Sequence, residues 1–106
     1  MWMSDRPAVL MREIRARIID ISESGCLMET RRRLEVGTVG TMRLRIGSEE
    51  YGDDLEVLRC QAVENAQSLY HVAVHFLWTT ARHAGSIRHA VAHHAAELAP
   101  SDAIVM

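Results

Sequence analysis

The sequence predicts a mainly β chain, a small antiparallel barrel of five to six strands in a split or Greek-key arrangement, followed by a C-terminal α-helix. Three observations lead there. Apolar and polar residues alternate with a period of two through most of the first 78 residues, which suits strands with one buried face. Polar or glycine-containing turns interrupt the alternation at short intervals, as in small barrels. From about Thr79 the chain becomes alanine-rich, with apolar residues spaced by three and four, the period of a helix.

Taken in order, residues 1–8 lack periodicity, and Ser4-Asp5-Arg6-Pro7 reads as a loose arm. The barrel is expected over 9–78. Its first strand runs from about Leu10 to Ile21, with Ile14, Ala16 and Ile18 on one face and Glu13, Arg15 and Arg17 on the other. Ile19 and Ile21 make the second face apolar too, which predicts a bend, a bulge or burial on both sides. Asp20 to Gly25 is a polar corner, and residues 26–29 form a short second strand. The run Thr30-Arg31-Arg32-Arg33 reads as a solvated loop whose arginines reach a phosphate only if one is brought to them.

Gly37 and Gly40 bracket a turn. Met42, Leu44 and Ile46 then alternate with Arg43 and Arg45, and Gly47-Ser48 turns the chain again. Glu49 to Asp54 is an edge strand or a hairpin tip. Leu55 to Val63 is a strand in which Leu58 and Cys60 blur the alternation. After a turn at Asn65-Ala66-Gln67-Ser68, Leu69 to Trp78 puts Tyr70, Val72, Val74 and Phe76 on one face. The helix is expected over 79–99 with Thr80 or Ser86 as its N-cap, and Pro100 stops it. Residues 100–106 are left as a frayed tail, although Ile104-Val105-Met106 is apolar enough to dock.

Composition narrows the function. The chain has 106 residues, enough for one domain with its own core. A net charge of −2 argues against general nucleic-acid binding. No run approaches the roughly 18 apolar residues of a membrane span. Met1-Trp2-Met3 running into Ser4-Asp5-Arg6-Pro7 is not a signal-peptide pattern. Cys26 and Cys60 each sit inside a strand and read as small buried hydrophobes, in keeping with a reducing cytoplasm. A Gly-rich phosphate loop and a nucleophile elbow are both missing, so the sequence does not read as an enzyme. His89 and His93 with Glu97 form a stripe at helical spacing. Without a further ligand it reads as a polar helix face rather than a metal site, and no metal or cofactor is expected.

The corner carries the functional reading. Asp20 can accept backbone N–H groups in a turn, Ser22 both donates and accepts, and Gly25 tolerates positive φ and close approach. A carboxylate also suits the paired N1–H and N2–H₂ donors of guanine. Asp20-x-Ser22-x-x-Gly25 resembles the second signature of the PilZ domain, a small bacterial β-barrel that senses cyclic di-GMP. The resemblance continues through Gly25-Cys26-Leu27-Met28-Glu29, Leu34-Glu35-Val36-Gly37-Thr38 and Met42-Arg43-Leu44-Arg45-Ile46. It ends in Tyr70 to Leu77, where Ala73 stands in a place often held by glycine, and it covers about residues 13–78.

It implies a second-messenger signalling module, cytoplasmic, with Asp20, Ser22 and Gly25 at the ligand. One departure stands out. Ligand-binding members carry Arg-x-x-x-Arg upstream of the corner to grip phosphates, whereas here Arg6 is followed four residues on by Leu10, and Arg12 by Ala16. Arg6, Arg12 and Arg31 are the candidate substitutes. The alternative the resemblance leaves open is an adaptor that ignores nucleotide and meets a protein partner, or a second copy, through its C-terminal helix. Trp2, Leu77 and Trp78 offer a further sticky patch for such contacts.

Overall fold

A computed structural model describes residues 13–77, 84–98 and 101–106. Six strands form a closed barrel in the order β1-β2-β5-β4-β3-β6. They are β1 (Ile14–Ile21), β2 (Gly25–Thr30), β3 (Val39–Ile46), β4 (Glu49–Ala62), β5 (Tyr70–Phe76) and β6 (Ser101–Val105). One helix, α1 (Ile87–Leu98), falls between β5 and β6. All strand pairs are antiparallel, so the hairpin β1–β2 and the meander β3–β4–β5 are joined directly by the β2–β5 ladder. The mainly β barrel with a helix near its C-terminus is therefore the architecture the alternation predicts.

Alternation fixes the inside. Ala16 and Ile18 of β1, Met28 of β2, Met42 and Leu44 of β3, Leu55 and Val57 of β4, and Val72, Val74 and Phe76 of β5 are all buried. Glu49 to Asp54 is neither an edge nor a tip: it opens β4 and turns Tyr51 and Asp53 inward. Gly47 takes positive φ (62°) in the two-residue β3–β4 turn, which is the conformation that such hairpins demand.

Two expectations are corrected. The tail expected over 100–106 contains β6, which pairs with β1 on one side and β3 on the other and so closes the barrel. Ala103 and Val105 turn into the core, and the five residues gain their place from a gap between two strands rather than from their own propensity. The helix expected over 79–99 does not include residues 84–86: among the described residues it starts at Ile87, directly after Ser86, one of its two expected N-caps. Ser86 caps it by accepting from the His89 N–H at 3.1 Å, and its fully buried Ile87, Ala90 and Leu98 cover the barrel. Those stripe residues are spent within the chain, so at these positions the helix offers no apolar face to a partner.

α1 is latched to β4. Asp53 accepts from the Arg88 backbone N–H at 3.0 Å and from its guanidinium at 3.2 and 2.9 Å, a bidentate pair with side chains 5% and 1% exposed. The Gly52 N–H donates to the Gly85 carbonyl at 2.9 Å beside it. Among the described residues no helix is long and apolar enough to cross a membrane.

Candidate functional site

The corner is the three-residue connection between β1 and β2. It closes without its aspartate. The Ser22 N–H donates to the Gly25 carbonyl at 2.8 Å, and the Ser24 N–H donates to Ser22 Oγ at 3.3 Å. Ser22 Oγ also lies 3.0 Å from Ser24 Oγ and 3.3 Å from the Gly25 carbonyl oxygen. The side chain bonding backbone two residues on is thus Ser22 rather than Asp20. Asp20 is exposed, and among the described residues its carboxylate makes no hydrogen bond or ion pair.

Gly25 has a role different from the expected one. It is buried and does not have positive φ. A Cβ there would run into the Val74 carbonyl oxygen and come 2.9 Å from the His75 Cα. The glycine lets β2 approach β5 closely.

Two bulges shape the surface next to this corner. The β1–β2 register slips between Ile18 and Asp20, and the β4–β5 register slips between Val57 and Arg59. Ile19 and Leu58, the extra residues, are turned out and stand 38% and 52% exposed. These slips explain the apolar second face at Ile19 and the blurred phase at Leu58. A bulge re-aims the side chains beside it. Here the result is a row running straight across four strands: Asp20 opposite Leu27, Leu27 opposite Ala73, Ala73 opposite Arg59. Carboxylate and guanidinium stand at its two ends, three strand spacings or about 14 Å apart between backbones. Small Ala73 and half-buried Leu27 make the floor between them.

A shallow groove of about 390 Å³ follows this row, lined also by Ser22, Ser24, Leu58 and His75. His75 Nε2 lies 3.0 Å from Glu56 Oε1, so one ring edge is held by a neighbouring strand. Of the residues expected at the site, Asp20, Ser22 and Gly25 line the groove and Arg31 does not. Arg31 follows the far end of β2, roughly 20 Å along the strand from Gly25. Arg6 and Arg12 lie outside the described residues, as do Trp2 and Trp78. Sequence reasoning passed over Arg59. The blurred alternation at Leu58 was its only signal, because the sequence does not say which strand lies beside β5.

Beneath the groove, burial first and the Asp20 charge second push the Cys26 thiol up to about 12 from 9.0. It packs as a hydrophobe, and Cys26 and Cys60 are both free thiols. Elsewhere, the His89 and His93 ring centroids lie 4.3 Å apart with the rings tilted by 43°, and His94 lies 6.5 Å from His93. His94 also has non-helical backbone angles (φ −139°, ψ 30°), which breaks the regular face that the stripe requires.

The family model of the PilZ domain matches residues 8–93. No curated protein and no solved structure matches the chain significantly. The matched span contains the corner and both bulges, and it ends before β6.

Proposed function

The chain belongs to the PilZ family, and from that premise we propose that it is a cytoplasmic second-messenger module that binds cyclic di-GMP in the groove between Asp20 and Arg59. The family is a non-enzymatic binding domain, which fits a site built from an acid, hydroxyls and a cation without a nucleophile–base pair. The observation that carries the reading is the uncommitted Asp20 carboxylate. The turn is complete without it, so its acceptor capacity is available to a ligand.

The chemistry follows from the row. Asp20 accepts the paired donors of a guanine edge. Leu27, Leu58 and Ala73 offer apolar surface to the purine face. Arg59 meets a phosphate oxygen as a bidentate fork, standing in for the upstream arginines that this chain lacks. Arg6 and Arg12, in the segment leading into β1, are the remaining candidate cations.

Isothermal titration of cyclic di-GMP into the folded protein tests this directly. Measurable binding that weakens at least tenfold in both Asp20→Asn and Arg59→Ala is the expected result. Absence of heat from a concentrated folded sample refutes it. A second reading, an adaptor that ignores nucleotide, is favoured by the missing Arg-x-x-x-Arg. It predicts the same elution volume in size-exclusion chromatography with and without nucleotide, together with a silent titration.

A further inference from the structure

A second hollow lies away from the groove of the corner. It measures about 800 Å³ and lies over the outer face of β1, β6 and β3, and none of its lining residues is shared with the Asp20 groove. Its construction follows from register. On the outer face Ile104 of β6 has Arg15 of β1 on one side and Arg43 of β3 on the other. The two arginine backbones are therefore two strand spacings apart, close to 10 Å, with an exposed isoleucine between them. Arg31 and Arg32 approach from the end of β2, and Arg45 lies two residues beyond Arg43.

Charge in the hollow is uneven. Its acids are Glu13, Glu29, Glu50 and Asp102. Glu29 is engaged by His71 at 3.4 Å, and Glu50 lies 3.9 Å from Arg43. Arg17 sits between Glu29 and Asp102 in register, and Arg45 stands opposite Glu50, so six guanidiniums line the hollow against four acids. Arg15, Arg31, Arg32 and Arg45 make no ion pair among the described residues. Guanidiniums are thus gathered around an apolar floor, in a protein whose net charge is −2.

We propose that this hollow is a second binding site, for a small phosphate-bearing molecule. A phosphate seated over Ile104 meets guanidinium forks from Arg15 and Arg43 on both flanks, with Arg31 within reach of the same anion. The organic part of the ligand rests on Ile104, Leu69 and the Met106 end of the chain. A protein partner would need a broad contact of about 800 Å² on each side, whereas these cations converge on one concavity of ligand size. The site exists because β6 enters the barrel: it supplies Ile104 and holds β1 and β3 apart at that spacing.

The test is isothermal titration of inorganic pyrophosphate and of ATP into the full chain at physiological salt. Both are expected to bind, ATP the more tightly because its base adds contact with the floor. Arg15→Gln and Arg43→Gln should each weaken binding roughly tenfold to a hundredfold. Arg33→Gln removes the same charge from the position after Arg32, an exposed residue paired with Glu35 that does not itself line the hollow, and should leave binding unchanged. Circular dichroism checks that each variant is folded. No heat with either probe, equal weakening by Arg33→Gln, or binding of hexaglutamate in place of pyrophosphate would each overturn the proposal. Asp20→Asn, which weakens cyclic di-GMP at the other groove, should leave pyrophosphate binding here unchanged, so the two sites fail separately.

Discussion

Two aspartates on this barrel meet opposite fates. Asp53 points inward from β4, is nearly sealed from water, and spends both oxygens on Arg88. Asp20 points outward after the β1 bulge and has no such partner among the described residues. The same side chain holds the helix in one place and stays open to solvent in the other. Desolvation explains the split. A buried carboxylate is tolerated only when paired and hydrogen-bonded, while an exposed one can keep its acceptors for a ligand.

The comparison can be broken first at Asp53. Asp53→Ala leaves a buried guanidinium without its counter-ion and should lower unfolding free energy by about 3–5 kcal/mol in urea titration. Joint replacement of Asp53 by Leu and Arg88 by Met should restore only part of that loss, since an apolar pair removes the desolvation cost of the ions but leaves the Arg88 backbone N–H without its acceptor. If the single variant is as stable as the parent, the pair is no latch.

Cys26 gives the next largest effect, because burial, and after it the charge of Asp20, holds its thiol protonated. Its folded value of about 12 lies above the unfolded 9.0, so the protonated thiol is favoured in the fold. Below pH 9 both states hold the proton and the thiol adds no pH dependence. Above it the unfolded state loses the proton first, and stability falls until about pH 12. At pH 10.5 the loss is about 2 kcal/mol. Cys26→Ala should flatten that alkaline slope in thermal melts, and an unchanged slope would contradict the assignment.

Gly25→Ala tests the strand contact beneath the corner. The added methyl meets β5 backbone rather than a flexible side chain, so a loss of about 1–3 kcal/mol is expected. Asp20→Asn should change stability least, within about 0.5 kcal/mol, while cyclic di-GMP binding weakens at least tenfold. A destabilisation as large as that of Asp53→Ala would mean that Asp20 serves the turn after all.

Much of the barrel was legible because burial on one face imposes a two-residue period. That period is visible in Ile14 to Ile18, Met42 to Ile46 and Tyr70 to Phe76. The bulges were legible only as disturbances of phase at Ile19 and Leu58. Gly25 was noticed for its backbone freedom, yet its neighbour across the sheet is what demands it. The helix start was left between Thr80 and Ser86 because alanine-rich sequence does not mark its own start, and the Ser86 cap sets it at Ile87.

What the residues alone determined is the local record: which positions face in, where the chain turns, and that an acid and a hydroxyl share one polar corner. Those follow from periodicity and turn chemistry, which act over a few residues. The strand neighbours were decided only by tertiary structure. It set Arg59 across from Ala73 in the row that begins at Asp20, paired Asp53 with Arg88, and drew Ser101–Val105 between β1 and β3. The reason is that backbone hydrogen bonds between strands are indifferent to side-chain identity, so only closure of the whole barrel selects which strands meet.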